Sequence, residues 1–149
     1  MSEPEPVDRL IPCTDFLPKV KNYVKNLWRN RWEFKHQRER SIKLFQINPE
    51  ISTFHINGLS RRDEIIIHRI RIGHTRLTHS YLMEEAPLPL CLCCQAEPIS
   101  VKHLLIECPQ LAGIRSRYYH ANDMRDLFER FSLKHILGFL KESRLYHLI

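Results

Sequence analysis

Apolar residues recur at spacings of three and four through "TDFLPKVKNYVKNLWRNRWEFKHQRER". Phe16, Val20, Tyr23, Val24, Leu27, Trp28 and Trp32 fall on one stripe. That period is the mark of a helix that buries one side, so Trp28 and Trp32 are expected in a core. Thr14 or Asp15 can cap the helix by accepting a backbone N–H. Pro18 falls in the first turn, where its missing N–H costs little. Ahead of it, Pro4, Pro6 and Pro12 fix φ and remove donors, which predicts an extended arm over residues 1–13. Residues 44–59, "LFQINPEISTFHINGL", hold Pro49 and Gly58 between short apolar pieces. They read as a loop with room for one short strand.

In "SRRDEIIIHRIRIGHTRLTHSYLM", Ser60 and Asp63 have the spacing of a capping box, with Asp in the usual Glu position. Ile65, Ile66, Ile67, Ile70 and Ile72 are β-branched, and "RIRI" alternates, so a strand competes. The cap and the length favour a helix. Gly73 then breaks it, and a second helix is expected over about Thr75 to Met83. Beyond residue 110, "LAGIRSRYYH", "DMRDLFERF" and "LKHILGFLKESRLYHLI" again show helical spacing, the last with Ser132 as its cap. The apolar tail is expected to dock on the body. With only 4 glycines, tight hairpins should be few and an all-β fold is disfavoured. The pattern predicts a mostly α protein. An arm (1–13) precedes a basic amphipathic helix and loop (14–59), and a helical domain (60–149) follows.

Charge changes the picture. The net charge is +6 and the pI near 9.2, which favours polyanionic partners. Lys19 to Lys43 holds nine Lys or Arg against Glu33 and Glu39. Lys21, Lys25 and Arg29, at i, i+4 and i+8, share one helical face and repel one another. A polyanion would relieve that cost. Lys21, Lys25, Arg29 and Arg31, with Arg69, Arg71 and Arg76, are either phosphate contacts or solvated cations. No run approaches the ~20 apolar residues that span a bilayer. The acidic, proline-rich start is unlike a secretory signal. An intracellular protein of cytoplasm or nucleus, without membrane contact, is expected.

The densest chemistry lies in "PLCLCCQAEPISVKHLLIECPQ", residues 89–110. Cys91, Cys94, His103 and Cys108 form the pattern C-x2-C-x8-H-x4-C. Structural zinc takes four thiolate or imidazole ligands in a tetrahedron, and two cysteines separated by two residues can grip one ion from a tight turn. Ser100 reads as a cap that starts a short helix carrying His103, with Cys108 at its end before Pro109. Cys91 with Cys93 leaves one residue between ligands, a poor fit, so Cys93 reads as a spare thiol; its exchange with Cys94 stays open. Two competitors are buried thiols acting as small hydrophobes and a thioredoxin-like pair, which lacks its βαβ surroundings. Four protein ligands leave no position for water, so zinc would staple residues 87–110 rather than catalyse. His68, His74 and His79 lack companion cysteines and read as ordinary packed or surface histidines.

Those segments, with "FLPKVKNYVKNLWRNRW", resemble the C-terminal tail of non-LTR retrotransposon polyproteins, downstream of the reverse transcriptase and RNase H domains. The resemblance runs from about Pro4 to the end and is most specific between Arg61 and Pro109. It implies the same four ligands and matches Arg69, Arg71, Gly73, His74 and Arg76 to a basic Gly-His stretch; Cys93 is extra. RNase H chemistry needs several carboxylates around two metal ions, and the family's acidic motifs lie upstream of the matched region. Asp63-Glu64 suits a helix N-terminus, and Glu84-Glu85 a solvated turn. The expectation is a non-enzymatic, zinc-binding, nucleic-acid-binding remnant. The alternative is a zinc-stabilised protein–protein module that once docked on the polymerase or RNase H domain.

Overall fold

The computed structural model describes residues 13–38, 43–50 and 54–149. It forms two compact units, residues 1–40 and 41–149. The arm expected over residues 1–13 lies outside the described residues, apart from Cys13, the first residue of a helix.

The first unit is built on that helix, α1 (Cys13–Arg38). Asp15 sits in its first turn, where a negative charge complements the helix dipole. Pro18 is deeper than expected and cannot supply the amide that would bond the Thr14 carbonyl. The apolar stripe is present but is not core. Phe16, Tyr23, Leu27 and Trp28 are exposed, Trp28 by 63%, and Trp32 is half-buried. Periodicity identifies a side fit for burial; it does not supply the surface that buries it.

The second unit opens with α2 (Lys43–Ile47), a helix where a loop with room for a strand was expected. Among the described residues no strand occurs, only an isolated antiparallel bridge between Leu90 and Pro98. The isoleucine-rich segment is helical, α3 (Arg61–Ile72). Ser60 caps it: its hydroxyl accepts from the Asp63 amide at 3.2 Å and donates to the Asp63 carboxylate at 2.7 Å. Gly73 ends it in the left-handed region, φ 75°, with its N–H on Ile70. The Lys43 side chain lies so close over Gly73 that a Cβ there would collide with its Cδ. The second helix of this stretch divides into α4 (Arg76–His79), capped reciprocally by Thr75 and Thr78, and a 3₁₀ turn over Ser80–Leu82.

After the cysteine segment come a 3₁₀ turn (Pro109–Leu111), α5 (Ala112–Arg115), α6 (Met124–Arg130) and α7 (Leu133–Glu142). Asp123 caps α6 through the Asp126 amide at 2.8 Å. Ser132 holds the N-cap position of α7, but its hydroxyl pairs with His135 Nδ1 at 2.9 Å instead of with the backbone. Ile67 and Ile70 of α3, Leu105, Leu127 of α6, and Ile136, Phe139 and Leu140 of α7 are fully buried together. Each such side chain contributes about 1.5–3 kcal/mol by leaving water. The tail docks as expected: Leu145, Tyr146 and Ile149 are buried, and the Tyr146 hydroxyl donates to Asp63 at 2.8 Å.

Candidate metal centre

Two local structures bring the ligands together. The first is a small hairpin. The Cys91 amide donates to the Glu97 carbonyl at 2.8 Å, and the Ile99 amide donates to Pro89 at 2.9 Å. Gln95, with φ 53°, turns the chain inside it. That turn directs the amides of Ala96 and Glu97 at the Cys94 sulfur.

The second is a helical segment begun by Ser100, whose hydroxyl accepts from the His103 amide at 3.0 Å. His103–Glu107 is wound as a π turn, and the Cys108 amide reaches back five residues to the His103 carbonyl at 2.7 Å. This winding was not foreseen, and it matters to the site. Five residues of ordinary α-helix turn through about 500°, leaving the first and last side chains about 140° apart. A π turn bonds residue i to i+5 and stacks the two ends on one side. The H-x4-C spacing was its only trace in the sequence. The following elements satisfy the carbonyls around the turn: Tyr119 Oη donates to Leu105 at 3.1 Å, and Arg115 Nη2 to Cys108 at 2.9 Å.

Cys91, Cys94, His103 and Cys108 therefore converge, each offering one ligand atom, all within 4.8 Å of one another. The Cys91 and Cys108 sulfurs are 3.8 Å apart, and Cys94 Sγ lies 3.3 Å from His103 Nε2. Two sulfurs, each about 2.3 Å from one ion at a tetrahedral angle, would sit about 3.8 Å apart. Cys91, His103 and Cys108 are buried and Cys94 is half-buried. The four could hold a metal ion. Cys93 is half-buried beside Cys91 and Cys108 but is not one of the converging four. Among the described residues this is the one such group of His, Cys, Asp or Glu side chains.

The thiols are tuned in opposite directions. The amides of Ala96 and Glu97, with His103, pull Cys94 down to about 6. Burial pushes Cys108 up to about 11, and the neighbouring Cys91 adds to the rise. Burial also raises Cys93. Three thiolates cannot share this space without a cation, and a bound divalent ion deprotonates its thiol ligands outright.

The basic residues divide. Lys21, Lys25, Arg29 and Arg31 are exposed on α1. Arg69 is exposed and donates to the Ile149 main-chain oxygen at 2.7 Å. Arg76 is exposed. Arg71 departs from the expected set of phosphate contacts: it is buried, with its guanidinium 3.5 Å from the centroid of the Phe54 ring. It packs against Phe54 and is far less open to a phosphate than the other six. Arg61 and Arg62, not singled out in the sequence, line one depression with Arg69 and Arg76. His74 and His79 stack on each other at 3.9 Å, and His79 Nδ1 pairs with the Thr78 hydroxyl at 2.7 Å.

Among the described residues, no helix is long and apolar enough to cross a membrane. Comparison with protein-family models, with curated proteins and with solved structures found no match.

Proposed function

We propose that this chain is a non-enzymatic module that holds one structural zinc ion through Cys91, Cys94, His103 and Cys108 and binds RNA or DNA through backbone phosphates. The convergence of the four ligand atoms within 4.8 Å carries the metal reading. Three sulfurs and one imidazole nitrogen, tetrahedrally disposed, are the donors zinc prefers. With all four positions taken by side chains, the ion would act on folding. The net charge of +6 and the exposed cations of α1, α3 and α4 support a polyanionic partner. The sequence resemblance to the tail of retrotransposon reverse transcriptase–RNase H polyproteins supports the same assignment and an intracellular setting in cytoplasm or nucleus.

Native mass spectrometry with and without chelator tests the metal. One zinc per chain is expected, lost in Cys91→Ser and Cys108→Ser and retained in Cys93→Ser. A folded chain that never carries metal would sink the reading.

One observation favours a second reading, a zinc-stabilised protein–protein module that docks on a polymerase or RNase H domain. Phe16, Tyr23, Leu27 and Trp28 expose an aromatic-rich stripe on α1. Salt separates the two. Nucleic-acid affinity that falls steeply with ionic strength supports the first; absence of binding even at low salt supports the second.

A further inference from the structure

We infer that the depression between α3 and the C-terminal segment is the phosphate-binding surface for a nucleic-acid strand, an inference that rests on the nucleic-acid reading above. Arg61, Arg62 and Arg69 of α3, Arg76 of α4, and Tyr146 and His147 of the tail line a cleft of about 540 Å³. Four arginines line it, and no Asp or Glu side chain is among its lining. The nearest acids are already engaged. Glu64 pairs with Arg61 at 3.3 Å. Asp63 accepts from Ser60 and Tyr146 and lies 3.8 Å from Lys141.

The arginines are positioned as well as present. Arg62 lies over the Tyr146 ring, 5.3 Å from its centroid, and contacts His147 Nδ1 at 3.1 Å. Arg69 is tethered to the Ile149 main-chain oxygen. The exposed Arg76 guanidinium makes no hydrogen bond or ion pair among the described residues.

The spread of charge argues for a strand over a single phosphate. Arg61 and Arg69 are eight residues apart on one helix, about 12 Å along its axis. Phosphates of one strand of a duplex advance about 3.4 Å each along its axis, so a row about 12 Å long reaches more than one of them. Guanidinium groups are suited to this task because each offers a planar fork to phosphate oxygens. Exposed His147 adds a ring that can stack on an unpaired base.

The test uses the full, metal-loaded chain and fluorescence anisotropy with a labelled 20-nucleotide RNA and its DNA counterpart across a salt series. Arg62→Glu/Arg76→Glu should weaken binding by about tenfold or more and flatten the log–log salt slope by about 1.5. Arg62→Lys/Arg76→Lys should retain most of the affinity, which shows that the cleft still forms. Arg125→Glu/Lys134→Glu, with the same change in net charge away from the cleft, should cost far less. Equal losses in both reversal variants would mean net charge alone binds and would overturn the cleft. So would wild-type affinity in Arg62→Glu/Arg76→Glu; if Lys21→Glu/Lys25→Glu then loses binding, the nucleic-acid reading survives without the cleft. No oligonucleotide binding by the wild-type chain overturns both, as does binding to phosphatidylserine vesicles alone.

Discussion

Neighbouring side chains of one chemical type take different roles here, and their surroundings decide which. Cys93 and Cys94 are adjacent, yet the hairpin aims only Cys94 at His103, and the amides of Ala96 and Glu97 support only that sulfur. Arg69 and Arg71 are two residues apart, which on a helix turns them to different sides; one reaches the tail and the other lies under Phe54. Asp63 shows what a carboxylate does when it is neither ligand nor acid catalyst. Hydrogen bonds from Ser60 and Tyr146, and the Lys141 charge, hold its pKa below the ordinary 3.8. A depressed folded-state pKa stabilises the fold above the unfolded value and loses that contribution as pH falls through the folded one. The melting temperature of Asp63→Asn should therefore lie a few degrees below wild type at neutral pH, about what one lost charge-assisted hydrogen bond costs. The gap should close as pH falls below 3.8. Thermal melts from pH 2 to 7 measure this, and a gap independent of pH would refute it. The ligand set was legible in the sequence because its members lie close together at metal-binding spacing. The burial of Arg71 was not, because Phe54 is remote in sequence and nothing in "RIRI" announces it.

At the scale of elements, intrinsic preference and tertiary packing disagree in α7. Gly138 lies inside that helix, where alanine would ordinarily be better by about 1 kcal/mol. The Tyr118 ring occupies the space an added Cβ needs: its Cε1 would be 2.5 Å away. That ring is held from its other end, since the Tyr118 hydroxyl donates to Glu142 at 2.6 Å. Gly138→Ala should therefore fail to stabilise the protein and should destabilise it by about 1 kcal/mol. In Tyr118→Ala the same substitution should become stabilising. Urea unfolding of the four proteins gives the coupling directly, and additive effects would show that the ring yields freely. The sequence located most helices because caps and periods are local signals: Ser60, Gly73 and the stripe of α7 are visible in any window. The π turn is a different matter. It turns His103 and Cys108 toward one point, which ordinary α-helical winding of the same five residues would not do.

For the molecule as a whole, the two units differ in what protects them. Side chains on the apolar stripe of α1 are exposed, whereas α3 and α7 carry fully buried residues at Ile67, Ile70, Ile136, Phe139 and Leu140. Hydrogen exchange should follow that contrast, because protection tracks buried contacts. Amides of α1 should exchange fastest among the helices, and those around Ile67–Ile70 and Ile136–Leu140 slowest. Chelation should expose residues 87–110 first, since free energy of metal binding is free energy of folding for the segment it ties together. Mass-resolved exchange with and without chelator checks both, and protection in 87–110 that ignores chelator would contradict the staple. The stripe from Phe16 to Trp32 was legible as a stripe, but its period alone favoured a core.

The cleft has a consequence for when the protein becomes itself. Its walls join residues far apart in the chain: Arg62 to His147 and Arg69 to Ile149, separations of 85 and 80. The metal ligands all fall between Cys91 and Cys108. Short loops close more cheaply and sooner than long ones. On a ribosome, the cysteine segment has every ligand it needs soon after Cys108 leaves the exit tunnel, while Arg62 and Arg69 wait for Tyr146 to Ile149. The four candidate ligands can thus come together before the arginine cleft does.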